Sequence, residues 1–383
     1  MLLKRIAALL PAHLNALIPT LEAANIRTTE SLLFTTSSKL LEILPTVSEA
    51  DFDDLVAHCL SVTAPRGFAG HEGLKDGQRA EWSGFGVDGV DQLFGDPWDG
   101  VGIVEISGMR RVGKSLLALH AALRGLVSDE MAICHWLDSD GSFSPKRARA
   151  ILEFIGVEDV KGVLDRLVVS HSFRLDPDVH DALAILQNEM EGLEADRQSQ
   201  STKRTRILVI DPITNLFKDT LMNTSAQVTT GHAEMITIME EIAELTYSMN
   251  LLTIVTNSTA SSLPTNPLST FSATTIKPAL GLAFTFCADI SLLVQESGRL
   301  FGLVDEEERE RVRKRPGLRG VVEVVKTRIA TGGKWAVFET DGTRLYDVAP
   351  PPTEDERTIR MSAGLPTGVP RPAHGPLKRT MIP

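Results

Sequence analysis

Eight consecutive residues, Gly108-Met109-Arg110-Arg111-Val112-Gly113-Lys114-Ser115, fit the pattern G-x-x-x-x-G-K-[ST]. The spacing has a chemical reason. Glycines let the backbone curl so that successive N–H groups point inward at phosphate oxygens. A helix that starts at Ser115 adds the partial positive charge of its first turn. Lys114 can then reach the β and γ phosphates of a nucleoside triphosphate, and the Ser115 hydroxyl can ligate Mg²⁺. All eight residues are candidate nucleotide contacts.

Three more polar positions follow apolar runs and can complete such a site. Arg206-Ile207-Leu208-Val209-Ile210-Asp211 reads as a strand ending in an acid, and a carboxylate there can hold the Mg²⁺ water shell. Asp140, in Leu137-Asp138-Ser139-Asp140, is placed in sequence to orient and deprotonate an attacking water. Asp and Ser are equally at home in an ordinary strand-end turn, and that reading stays open. Asn257, after the apolar run Leu251 to Thr256, is a candidate sensor of the γ phosphate or a plain turn residue. The segment from Ser258 to Ile276 carries many Ser and Thr and no charge. It reads either as a flexible loop or as a loop that orders on a ligand.

These residues need a scaffold, and the pattern around them supplies one. A β-rich run, Val101 to Ile106, precedes the phosphate loop, and a helix, Ser115 to Leu126, follows it. Apolar runs at Met131–Leu137, Leu167–Ser170, Arg206–Ile210 and Leu251–Thr256 alternate with helical patterns at Pro145–Ile155, Asp178–Gly192 and Ala233–Met249. Continuous apolar strands alternating with helices predict an α/β fold with a parallel sheet covered on both faces. After Ala288 the runs Asp289–Val294, Gly320–Ile329, Lys334–Glu339 and Arg344–Val348 read as further sheet.

Residues 1–60 read as short helices, with Ser48 and Asp51 spaced as a capping pair at the start of the last one. Gly and Pro make 61–85 a linker, 86–348 is the α/β core, and the proline-rich stretch 349–383 reads as a disordered tail. The charged block 305–315 reads as a solvated insertion. Met1 to Leu21 has Lys4 and Arg5 and no acid before Glu22, which fits a first helix and also a mitochondrial presequence; Pro11 and Pro19 favour the helix.

Composition bounds the rest. The chain has 383 residues, 43% of them hydrophobic and 23% charged, the profile of a globular protein with a sizeable core. A net charge of −11 disfavours nucleic-acid binding by a broad basic surface. No apolar run is long enough to span a membrane. Cys59, Cys134 and Cys287 are too scattered for a disulfide frame or a zinc site and suggest a reducing compartment.

The order of helical N-terminal domain, linker, phosphate loop, Asp-terminated strand, Asn-terminated strand and polar loop resembles the RecA-like recombinases. It looks most like the eukaryotic recombinase paralogues, and among them the D-type. The residues that carry the likeness are Gly86-Val87-Asp88-Gly89-Val90-Asp91-Gln92-Leu93, Val255-Thr256-Asn257 and Ile276-Lys277-Pro278-Ala279-Leu280-Gly281, followed by Phe284 and Phe286. The resemblance spans roughly residues 5–345. It implies a RecA-like core that binds ATP with Mg²⁺, with Lys114 and Asp140 catalytic, Ser115 and Asp211 on the metal, and Asp211 and Asn257 joining 108–115 around the nucleotide. It further implies a nuclear DNA-repair protein of homologous recombination, assembled with other recombinase paralogues and touching single-stranded DNA through segments 214–232 and 258–276. Those segments are nearly uncharged, so contact would depend on backbone N–H groups and hydroxyls.

Departures from the family pattern temper the expected activity. Active recombinases carry Glu where this chain has Asp140, and the D-type loop has Gly where this chain has Arg111. The Arg that often stands near Ser291 is missing, and Phe68-Ala69-Gly70-His71 does not fit the Phe-x-x-Ala assembly motif. The expectation is a weak DNA-dependent ATPase. A non-hydrolysing scaffold subunit and a ring-helicase type of RecA-core ATPase stand as alternatives.

Overall fold

The computed structural model describes residues 3–6, 10–24, 26–43, 48–63, 83–95, 100–195, 203–218, 225–301, 310, 313 and 317–349. Most of the linker, the tail, and most of the charged block therefore lie outside the described residues, as does 219–224 of the first predicted DNA segment. The chain divides into two compact units, Met1–Gln78 and Arg79–Pro383.

The first unit is helical, with helices at Leu3–Ile6, Ala12–Asn15, Ile18–Ala23, Thr29–Leu33, Ser37–Ile43 and Glu49–Thr63. Helices this short are marginal alone and are held by packing. Their shared core contains Leu14, Leu21, Leu32, Leu40, Phe52, Leu55 and Cys59. Burial pushes the Cys59 thiol up to about 11, so it behaves as a small apolar residue. Ser48 and Asp51 cap the last helix reciprocally: Asp51 N–H donates to Ser48 Oγ at 3.2 Å and Ser48 N–H to Asp51 Oδ2 at 3.4 Å.

The second unit is built on a nine-stranded sheet. Its strands are β1 (Gly102–Gly108), β2 (Ala132–Asp138), β3 (Leu167–His171), β4 (Arg204–Asp211), β5 (Leu252–Asn257), β8 (Ile290–Glu296), β9 (Leu318–Thr327), β10 (Trp335–Thr340) and β11 (Leu345–Asp347). A separate two-stranded hairpin joins β6 (Thr259–Ser261) to β7 (Ile276–Pro278). The order in the large sheet is β11-β10-β9-β8-β1-β5-β4-β2-β3. From β8 to β3 all neighbours are parallel, and β8-β9-β10-β11 are antiparallel. The fold is thus the mostly parallel α/β sheet that the apolar runs predict.

Alternation within the strands separates two cores. Val104 and Ile106 of β1, Ile207 and Val209 of β4, and Leu252 and Ile254 of β5 enter one core, with the helices Lys114–Ser128 and Pro145–Ile155. Ile103, Leu208, Ile210 and Val255 enter the other, with His180–Ala195, Ser225–Ser248 and Gly281–Cys287. Both faces are covered, which is why these strands read as unbroken apolar runs rather than as alternating ones.

Strand order is not written in the sequence. The acid-ending β4 is not next to β1; β5 lies between them. The first predicted DNA segment is also partly helix, because Ile213–Leu216 and the long helix from Ser225 occupy its two ends. Asp91 organises the entry to the core. Its carboxylate accepts N–H bonds from Phe85 at 2.6 Å, Gly86 at 3.0 Å and Val87 at 3.2 Å. Gly84 and Gly86 both have positive φ, and a Cβ on Gly84 would lie 2.4 Å from Asp91 Oδ2. Asp91→Ala leaves three backbone donors unmet and lowers stability by about 3 kcal/mol. Chemical denaturation of the full chain checks it, with a loss below 1 kcal/mol as the contrary result.

Candidate functional site

β1 ends at Gly108 and the next helix begins at Lys114, so the phosphate loop is the bend between the sheet and one covering helix. Two positions in it need the left-handed region: Gly113 at φ 97° and Arg111 at φ 67°. Gly108 is required by packing. A Cβ there would fall 2.7 Å from both Val112 Cγ2 and the Val294 carbonyl oxygen. The loop is thus a tight curl lined by backbone, the shape that presents N–H groups to an anion.

Lys114 lies folded along this curl. Its Nζ donates to the carbonyls of Gly108 at 2.9 Å and Met109 at 2.8 Å. Burial lowers its pKa from the ordinary lysine range, Asp211 and Asp140 push it back up, and Arg110 lowers it further. Ser115 donates to Asp211 Oδ1 at 3.0 Å, across 96 residues of sequence. Thr256, on the intervening β5, donates to the same oxygen. Burial raises the Asp211 pKa, and the bonds from Thr256 and Ser115 oppose the rise. A hydroxyl and a buried carboxylate in contact beside a lysine are the donor set a Mg²⁺-bound triphosphate takes, so the residues present fit ATP and Mg²⁺.

Asp140 is exposed and close enough to Lys114 and Asp211 to shift the titration of both. Its own Oδ1 accepts the Ser142 N–H at 3.1 Å. The turn that presents it is made by the buried Asp138, which accepts N–H bonds from Gly141 at 2.9 Å, Phe143 at 3.0 Å and Ser142 at 3.2 Å. Asp138 therefore makes most of the turn's hydrogen bonds, and Asp140 adds one.

Asn257 is placed differently from a free sensor. It is fully buried, its amide Nδ2 donates to Glu105 Oε1 at 2.7 Å, and its Oδ1 accepts from Thr214 at 2.7 Å. Thr214 Oγ1 in turn accepts the Ser258 N–H at 2.8 Å. Asn257 thus ties the starts of segments 214–232 and 258–276 together beneath the cradle. Glu105, which sequence reading passed over, anchors this group. It accepts from Ser107 at 2.9 Å and Ser291 at 2.6 Å as well, and it is fully buried. Burial raises its pKa, and the bonds from Asn257, Ser291 and Ser107 oppose the rise. The available signal was a lone acid inside an otherwise apolar strand.

The segment 258–276 is an ordered hairpin, not an open loop. Thr259, Ala260 and Ser261 pair with Pro278, Lys277 and Ile276, and Ala279 N–H donates to the Ser258 carbonyl at 2.9 Å. A cavity of about 110 Å³ is lined by Met109, Arg110 and Val112 of the phosphate loop, by Thr275 and Ile276 of the hairpin and by Gln295 of β8.

The conformation at residue 111 yields a prediction. A left-handed non-glycine residue carries a steric cost of roughly 1–2 kcal/mol, part of which glycine returns through its larger unfolded-state entropy. Arg111 is exposed, so its side chain adds little packing. Arg111→Gly raises stability by about 0.5–1 kcal/mol, read as a rise of roughly 1–3 °C in Tm. A fall in Tm would show that the guanidinium stabilises the loop.

The family model for Rad51 matches residues 84–300, which is more than half of the chain and contains the whole cradle. No curated protein matches the chain by sequence. Among solved structures, the crystal structure of the RadB recombinase is 17% identical with a TM-score of 0.49, covering 70% of this chain and 100% of its own, a likeness too loose to carry function. Among the described residues, no helix is long and apolar enough to cross a membrane. Rad51-family recombinases bind ATP with Mg²⁺, bind DNA and oligomerise, which supports ATP binding and a role in homologous recombination here. On its sheet, its phosphate loop and this match, the chain belongs to the Rad51 family.

Proposed function

We propose that this chain is an ATP-binding accessory protein of homologous recombination, of the D-type paralogue kind, that works in the nucleus in assembly with other recombinase paralogues. One observation carries the reading: the contact of Ser115 with the buried Asp211 beside Lys114, a donor set that supports a metal-nucleotide site over a plain glycine turn. Residues 108–115 would hold the phosphates, and Ser115 and Asp211 the Mg²⁺. Mg²⁺ held there would neutralise phosphate charge. The subfamily assignment rests on the string Lys277-Pro278-Ala279-Leu280-Gly281.

Asp140 would orient the attacking water as general base. Its carboxylate is one methylene shorter than the Glu of active recombinases and already accepts a turn N–H. Both features favour slow hydrolysis. Single-stranded DNA contact falls to segments 214–232 and 258–276. The same feature of Asp140 supports a second reading, a subunit that binds nucleotide without turnover and serves as a scaffold. Phosphate release with single-stranded DNA separates them: turnover above that of the Lys114→Ala variant favours the ATPase, and equal turnover the scaffold.

Lys114→Ala removes the ammonium that would meet the phosphates and weakens ATP binding on the order of 100-fold. Calorimetric titration measures it, and unchanged affinity would refute the site. Acid has a defined sign as well. Metal binding needs the Asp211 carboxylate ionised, and its pKa is raised by burial. Affinity for Mg²⁺-ATP therefore falls on acidification at a pH above the ordinary carboxylate range. In Asp211→Asn, affinity is low and flat over that range.

A further inference from the structure

A buried acid is among the groups that hold the hairpin 258–276 down. Glu323 sits inside the run Val321-Val322-Glu323-Val324-Val325 of β9, opposite Leu293 of β8 and Trp335 of β10, and is 0% exposed. Its carboxylate accepts from Ser269 Oγ at 2.7 Å, from Thr270 N–H at 2.5 Å and from Thr270 Oγ1 at 2.7 Å. The next residue, Phe271, packs against Trp335 and Phe301 at ring centroid distances of 5.3 and 5.7 Å. Ser269 also bonds Thr274 at 3.1 Å, and Gln295 donates to that same hydroxyl at 3.1 Å.

A backbone N–H and two hydroxyls converging on one anion are the groups with which an uncharged loop grips a phosphate. Here the anion is the protein's own. A carboxylate inside an apolar strand is costly unless hydrogen-bonded, and lifting the hairpin breaks three charge-assisted bonds to Glu323. The hairpin and the acid therefore hold each other, and the donors are spent inward.

We propose that Glu323 is an internal stand-in for a nucleic-acid backbone phosphate, which occupies the Ser269–Thr270 donors and must be displaced before the hairpin can take a single strand. The inference rests on the reading of 258–276 as DNA-facing and adds its regulation. Release of the hairpin is measurable without DNA, so the two ideas fail separately.

The test uses the full chain, with Glu323→Gln as the isosteric neutral variant and Thr270→Ala as an exposed change on the loop side. Amide hydrogen exchange over residues 262–275 reads the latch. Fluorescence anisotropy with a labelled oligothymidylate reads the strand. Both variants should exchange at least tenfold faster. Their effects on DNA should be opposite: Glu323→Gln binds the oligonucleotide several-fold tighter because a neutral amide holds the donors less strongly than the carboxylate does, and Thr270→Ala binds it more weakly because a donor is lost. Glu323→Leu, which continues the apolar run, repeats the experiment if Gln disturbs folding. Unchanged exchange in the Glu323 variants overturns the latch. Faster exchange with equal or weaker binding, where the wild type does bind, overturns the competition alone. Freed hairpins and no binding by any form overturn the DNA-facing reading and the competition with it.

Discussion

A carboxylate deep in a parallel sheet is stable only while every lone pair it exposes is met by a donor, and this core carries two beneath its cradle. Glu105 takes bonds from β1, β5 and β8 through Ser107, Asn257 and Ser291. Asp211 takes them from the phosphate-loop helix and from β5 through Ser115 and Thr256. An unmet charge at either place would cost several kcal/mol. The strand ends are therefore fixed relative to one another by polar bonds, while the apolar faces fix only their stacking. The cradle inherits its geometry from this polar layer: Ser115 is aimed by Asp211, and the loop starts at Ser258 and Thr214 are tied to Asn257.

How far this was legible in the sequence follows from the range of each interaction. The phosphate loop is local, eight residues whose backbone demands are written in their own side chains, so it could be read directly. The α/β class was equally legible, because strands covered on both faces must be apolar throughout. Strand order was not: nothing in Arg204–Asp211 says that β5 will stand between it and β1. The partnership of Ser115 and Asp211 was legible as chemistry but not as contact, since the intermediary Thr256 has no signature of its own. Glu105 and Glu323 were invisible for the opposite reason. A lone acid in a strand looks like a flaw in the pattern until its partners, 152 residues away for Asn257 and 53 for Thr270, are in place.

The hairpin 258–276 shows the same limit. Ser, Thr and Pro without charge read either as a flexible loop or as one that orders on a ligand, because the segment carries few residues that could build a core by themselves. What orders it comes from elsewhere: Glu323 from β9, Gln295 from β8, and the Trp335 and Phe301 rings. Polar density without internal partners therefore admits two outcomes, solvation or capture by a buried group, and composition does not separate them.

Capture also reconciles the net charge of −11 with a family that binds DNA. A basic groove attracts strands at all times and in proportion to low salt, because counterion release drives it. A loop of hydroxyls and N–H groups has no such reach; it binds only what it touches, and only while its donors are free. On the proposed role of Glu323 a second condition is added, since the loop must first give up charge-assisted bonds that are stronger than neutral ones. The two features act in one direction. Together they make the proposed strand contact depend on release of the hairpin rather than on the strand's own charge.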